Sequence, residues 1–295
     1  MALVHELSNG VISIAVAEVG AELQSLRAGG VEYLWQGDEA YWGGRSPWLF
    51  PIVGSVWREH YRHEGTTYAL SRHGFAKASR FDLVEKTADT LVFELASSAD
   101  TLAVYPFEFR LVVSYSLRGS VVECAARVEN TGAAEMHYQI GGHPGLNYHD
   151  FVPGDNVGDV LGYIGFNRKA LRYILVGEGG CAIPDVHYDA GLDGDGLMPI
   201  HRDTFDKDAL IFQDSQITEA TLYDKARLPR VKMTTDAPIT AFWAACDGNA
   251  PYVCFEPWHG RCDRVNYEGE FALRDFMQHL APGEAGGMAF TLEVL

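Results

Sequence analysis

The sequence predicts an all-β fold, an antiparallel sandwich or barrel, on three observations. Apolar and polar residues alternate with a period of two over many short runs. No stretch of about 12 residues keeps the 3.6-residue period of an amphipathic helix. The runs are separated by Gly, Asp and Asn clusters of the kind that make turns.

Each run supports this in turn. "VISIAV" (11–16) and "TLVFEL" (90–95) alternate cleanly. In 109–117, Phe109, Leu111, Val113, Tyr115 and Leu117 share one face, and Arg110, Ser114 and Ser116 share the other. In 121–130, Val122, Cys124, Ala126 and Val128 alternate with Glu123, Arg127 and Glu129. "LRGS" (117–120) joins these two runs as a hairpin turn. The Gly- and Asp-rich segment 149–200 reads as a long excursion over the surface. Its "DAGLDGDG" does not follow the order of a calcium loop. "DKDALIF" (206–212) suits a single helical turn, whereas "ATLYD" (220–224) and "MAFTLEVL" (288–295) return to strand alternation. No 20–50-residue repeat is visible, so one domain over 1–295 is expected.

Composition narrows the function. With 23 Lys+Arg against 40 Asp+Glu, the formal charge is −17. That disfavours nucleic acid, which needs clustered cations, and an anionic membrane surface. The first residues lack the basic and apolar regions of a signal peptide, and no apolar run approaches the ~18 residues of a membrane span. Cys124, Cys181, Cys246, Cys254 and Cys262 are scattered and form no CxxC, which suits reduced thiols in a cytoplasmic protein.

Three places break the strand rhythm with polar residues among glycines and aromatics. They are "SRHGFAK" (71–77) with His73, "GGHPGLN" (141–147) with His143, and "FEPWHG" (255–260) with Glu256. Pro144 and Pro257 push the residues before them toward extended backbone, so His143 and Glu256 are held in place. Alternation puts Val253 and Phe255 on one face of 252–256 and Tyr252, Cys254 and Glu256 on the other. Two histidines and a carboxylate also suit zinc, but the HxH and HExxH spacings are missing and no metal is expected. His60 and His63 flank a turn and read as solvated.

Taken together with "LFPIVG" (49–54), "YPFEFRLVVSYSL" (105–117) and "LAPGE" (280–284), these stretches resemble the aldose 1-epimerases, galactose mutarotase-like proteins, in order and approximate spacing. The LacX-like branch is the most similar. The resemblance covers the chain from about Leu34 onward. It implies a large twisted antiparallel β-sandwich with a sugar groove across one sheet. It implies that His73 binds substrate and stabilises the transition state, that His143 is the general acid, and that Glu256 is the general base. Related sequences often carry Arg directly after "PIVG"; here Ser55 stands there and Arg58 follows three residues on. Lys77 stands where relatives have Arg, which removes a planar fork. Arg58, Lys77 and Trp258 are the expected sugar contacts, with Asp208 or Asp214 as the sugar-binding aspartate. Trp48, Phe75 and Tyr252 are further aromatic candidates.

Mutarotation opens a sugar ring and closes it with the other face of C1 exposed to attack. One base and one acid on either side of C1 suffice, so no cofactor is expected. A neighbouring ionised Glu256 is expected to keep His143 protonated nearer neutrality and to yield a bell-shaped pH profile. A small-molecule sugar is the expected partner, and assembly as a homodimer is left open. Two other readings remain. A hexose-6-phosphate epimerase would need Arg58, Arg62, Arg72 and Arg261 to converge. A silent sugar-binding protein would need neither acid nor base.

Overall fold

The computed structural model describes residues 3–152, 160–245 and 250–295. Two large antiparallel sheets dominate, one of nine strands and one of eight. A four-stranded sheet (Val4–Ser8, Ile12–Ala17, Leu23–Ala28, Val31–Glu32) adjoins them. The all-β antiparallel sandwich read from the sequence is the architecture seen.

The hairpin expected around "LRGS" pairs Phe109–Arg118 with Val121–Asn130 in continuous register, Leu111 facing Val128 and Leu117 facing Val122. It lies inside the nine-stranded sheet, between Thr90–Ala96 and the C-terminal strand Ala285–Val294. Its apolar face is buried, as alternation requires when one side of a sheet meets a core. Phe109 packs on Phe50, and Phe290 on Trp48, which joins this sheet to the eight-stranded one.

The strand Tyr252–His259 runs through the middle of the eight-stranded sheet. On one side it pairs with Ile239–Trp243. On the other it pairs first with Gly145–Asn147 and then with Ile140–Gly142. Val253 and Phe255 belong to the main core. Trp258 belongs to a second cluster, with Leu49, Ile211, Ile239 and Ala241. The strand is therefore buried on both faces, and a polar side chain along it must be held by protein or ligand.

Two expectations are corrected. Segment 149–200 is not a surface excursion: Val160–Phe166 and Leu197–His201 extend the nine-stranded sheet, and Arg172–Val176 and Ala182–Asp189 form one edge of the other. Glycines interrupt its alternation, and five of the last six residues of Ala182–Asp189 are exposed, so the apolar signal was diluted. Residues 206–212 form no helical turn but a tight turn leading into the strand Leu210–Phe212. The α-helix among the described residues is Ala99–Val104, capped by Ser98, whose hydroxyl accepts from the Thr101 amide. His60 and His63 lie on a short strand, His60–His63, paired with Thr66–Ala69.

Cys124, Cys181, Cys254 and Cys262 are free and buried. Cys246 lies outside the described residues. Among the described residues, no helix is long and apolar enough to cross a membrane.

Candidate active site

The register of the central strand creates the site. Gly141 pairs with Trp258, and Gly145 with Cys254. Between them the ladder is interrupted at His143–Pro144, because proline has no amide to contribute. The Pro144 carbonyl still accepts from the Phe255 amide, at 2.9 Å, so the interruption stays flat against the strand. The register on either side places His143 opposite Glu256. Their side chains meet on the cleft side, with His143 Nε2 3.0 Å from Glu256 Oε2.

Both groups are almost fully buried, at 6% and 1% exposure. The contact with His143 is close but misaligned for a hydrogen bond, and His143 Nδ1 has no partner among the described residues; the Trp258 indole lies against the Glu256 carboxyl as a donor. They sit in a cleft of about 520 Å³ that Glu256, His143 and His73 all line. Trp42, Trp243 and Trp258 supply aromatic walls. Trp42 lies over His143 with ring centroids 4.8 Å apart, and Trp243 meets the same ring edge-on at 5.8 Å. Gly141 allows Trp258 into this wall, since a Cβ there would lie 2.6 Å from the indole.

His73 approaches from a separate loop. Its ring meets His143 edge-to-face at 5.6 Å. The Gly54 amide points at Nδ1 from 3.1 Å and Arg72 Nε–H at Nε2 from 3.3 Å. A neutral imidazole accepts at one nitrogen, so these two donors compete for the ring. Burial, then the His143 ring and the Arg72 and Lys77 charges, hold His73 well below the ordinary histidine range. His73 is thus a neutral imidazole held at both ring nitrogens. The loop is locked behind it: Gly74 has φ +68, and a Cβ there would lie 2.2 Å from the Phe50 carbonyl oxygen. Gly74→Ala is expected to destabilise the protein by about 2–4 kcal/mol through this clash and the left-handed backbone. Chemical denaturation measures it, and an unchanged midpoint would contradict the packing described.

Burial also decides the protonation of the central pair. It raises Glu256 well above the ordinary carboxyl range, although the Arg72 charge opposes it. It lowers His143 to about 3. This reverses the sequence-based expectation that an ionised Glu256 would keep His143 charged, because desolvation acts first and disfavours both charges. The pair holds one proton as a neutral unit. Adding a second buries a cation, and removing the first buries an anion. The kcat/KM profile is therefore expected to have its acid limb displaced toward 3 and its alkaline limb above the ordinary carboxyl range. An acid limb centred near about 6.5, the ordinary histidine value, would contradict this.

The other expected contacts divide. Lys77 lines the cleft and donates to the Arg72 carbonyl at 2.9 Å. Burial and the Arg72 charge pull its ammonium below the ordinary lysine value. Trp258 lines the cleft too. Asp208 stands behind the wall, its carboxylate forked to Arg72 through two contacts of 3.3 Å. Burial disfavours the Arg72 charge, and Asp208, followed by Glu256 and Cys262, more than offsets it. Asp214 lies in a turn with φ +63 and does not line the cleft.

Arg58 is placed elsewhere. With φ +56, it turns over the Trp57 ring and lines a separate cavity of about 280 Å³ with Arg62. Arg72, next to His73 in sequence, is the guanidinium that reaches the cleft. Arg261 is buried and bonds Gln213 and Asp275. Of the four arginines proposed for phosphate, only Arg72 is at the cleft. Of the four proposed aromatics, only Trp258 is. Trp48 donates to the Tyr115 hydroxyl inside the core, Phe75 packs on Phe50 and Phe109, and Tyr252 stacks on Trp35.

Sequence reasoning missed Trp42 and Trp243. The signal for Trp243 was its place at the end of an apolar strand, and for Trp42 the two glycines that follow it. His143, Cys254 and Glu256 each offer a ligand atom within 4.8 Å of the others. Burial holds the Cys254 thiol well above its ordinary value, which keeps it protonated in the metal-free cleft.

A family model described as Aldose 1-epimerase matches residues 4–287. The plasmid-borne protein LacX of Lactococcus lactis subsp. lactis is 29% identical over 273 residues, which is 86% of this chain and 87% of its own. A galactose mutarotase related enzyme from Lactobacillus acidophilus superposes with a TM-score of 0.91 at 29% identity, over 99% of this chain and 97% of that one. A galactose mutarotase-like protein from Lactobacillus casei ATCC 334 superposes with a TM-score of 0.90 at 26% identity, over 99% of this chain and all of that one.

Proposed function

The chain belongs to the aldose 1-epimerase family, and from that premise we propose that it interconverts the α and β anomers of a free hexose at the Glu256–His143 pair. The observation that carries the reading is the buried contact of 3.0 Å between a carboxyl and an imidazole at the floor of the cleft. Mutarotation needs a site that can take a proton at one oxygen and give one at another.

In the closed-ring complex, the C1 hydroxyl donates to Glu256, which favours the carboxylate and leaves the shared proton on His143. Glu256 then takes the C1 hydroxyl proton as the bond from C1 to the ring oxygen breaks. His143 gives its proton to that oxygen. The product is the open aldehyde, with Glu256 protonated and His143 neutral, the form that burial favours. Rotation about C1–C2 turns the other carbonyl face to the hydroxyl, and both transfers run backwards. The pair stays neutral throughout, so no step leaves an uncompensated charge in the cleft.

The neutral His73 ring suits a hydrogen bond to the ring oxygen or a hydroxyl as charge develops. Arg72, aimed by Asp208, suits sugar hydroxyls, and the three tryptophans suit the apolar faces of a pyranose. Lys77 adds a donor at the rim.

Polarimetry of a freshly dissolved α-anomer tests the proposal. The approach to equilibrium is expected to accelerate in proportion to protein concentration, and more for free hexoses than for their 6-phosphates. Acceleration confined to 6-phosphates would overturn the free-sugar assignment, and no acceleration with either would overturn the activity.

A further inference from the structure

Away from the cleft, a second group of chemically competent side chains meets on a small two-stranded sheet. Met136–Tyr138 pairs with Gln278–Leu280, and His137 faces His279 directly across the ladder. Their Nδ1 atoms are 2.9 Å apart. Glu135, two residues before His137 and so on the same side of the chain, brings Oε2 to 3.9 Å from His137 Nδ1. The three ligand atoms lie within 4.8 Å of one another. His137 is 7% exposed, and a third imidazole, His63, packs edge-on to it at 5.8 Å. None of these residues lines the cleft.

We propose that His137, His279 and Glu135 form a binding site for one divalent transition-metal ion of the copper or nickel class. The donor set carries the choice of metal. Two imidazoles and a carboxylate can each bring a ligand atom to one point, and among divalent first-row ions such nitrogen and oxygen sites hold nickel and, most tightly, copper.

Without an ion, the same contact is one neutral ring donating Nδ1–H to the other. Metal binding would take the Nδ1 lone pair of both rings, the donor ring's proton moving through solvent to its Nε2, and Glu135 would compensate part of the added charge. The ion would tie together two strands that are otherwise joined by a short ladder.

The test is Cu(II) titration of the full chain, followed by calorimetry and electron paramagnetic resonance. One equivalent is expected to bind with hyperfine coupling from two imidazole nitrogens and to raise the melting temperature. His279→Ala, at an exposed position, is expected to weaken binding by about tenfold or more and to remove one nitrogen coupling. Glu135→Gln should weaken it less, and His60→Ala should leave it unchanged. Near-UV circular dichroism of each variant checks that the fold is intact. Binding unaffected by His279→Ala, binding abolished by His60→Ala, or no stoichiometric binding would each overturn the site.

Discussion

Replacing Glu256 with Gln lowers the protein-catalysed rate of anomer exchange by about 10²–10⁴-fold while leaving the fold intact. Gln has nearly the same shape and can still meet His143, but it cannot take and return a proton. The structure adds a second expectation. Burial raises the Glu256 carboxyl in the folded state. Its contribution to stability is thus complete below the unfolded value of about 4.3 and is lost as pH rises through the folded value. The Gln variant has no such loss. It is expected to melt no lower than the wild type at neutral pH, and relatively higher as pH rises. Inactivity joined to preserved or improved stability separates loss of chemistry from loss of fold. Wild-type activity in the variant would remove Glu256 from the reaction.

The second large effect is at His143. His143→Asn keeps a polar group beneath Trp42 but cannot carry a proton near neutrality. A fall of about 10²-fold or more in kcat is expected. Because the pair handles one proton as a unit, the double variant with Glu256→Gln should be little slower than either single variant. Multiplicative losses would mean that the two residues act independently. The sign of the stability effect is opposite to that at Glu256. Burial depresses His143 to about 3. Its contribution is present above about 6.5 and is lost as pH falls toward the folded value. The Asn variant should therefore lose less stability than the wild type between those limits.

What the sequence revealed depended on how local the signal was. The hairpin Phe109–Asn130 was legible because both strands alternate and the turn lies between them. Glu256 and His143 stood out individually, each fixed by a following proline. Their opposition was not legible, because it depends on pairing two distant strands in one register. The protonation of the pair was misread for a related reason: a charge next to a charge is visible in a sequence, but the depth of burial is not. Arg58 illustrates a local limit. It is the first arginine after "PIVG", three residues beyond Ser55, but its left-handed backbone turns the side chain onto Trp57. Arg72 reaches the cleft because the strained loop around His73 and Gly74 carries it there.

Two-dimensional exchange NMR on an equilibrium mixture of hexose anomers tests the central claim most directly, because it reports exchange at C1 without coupling to another reaction. The account predicts cross-peaks between the α and β anomeric protons that grow in proportion to protein concentration, and that disappear to the uncatalysed level in Glu256→Gln. Sugar binding seen by saturation transfer, with no acceleration of anomer exchange, would contradict it.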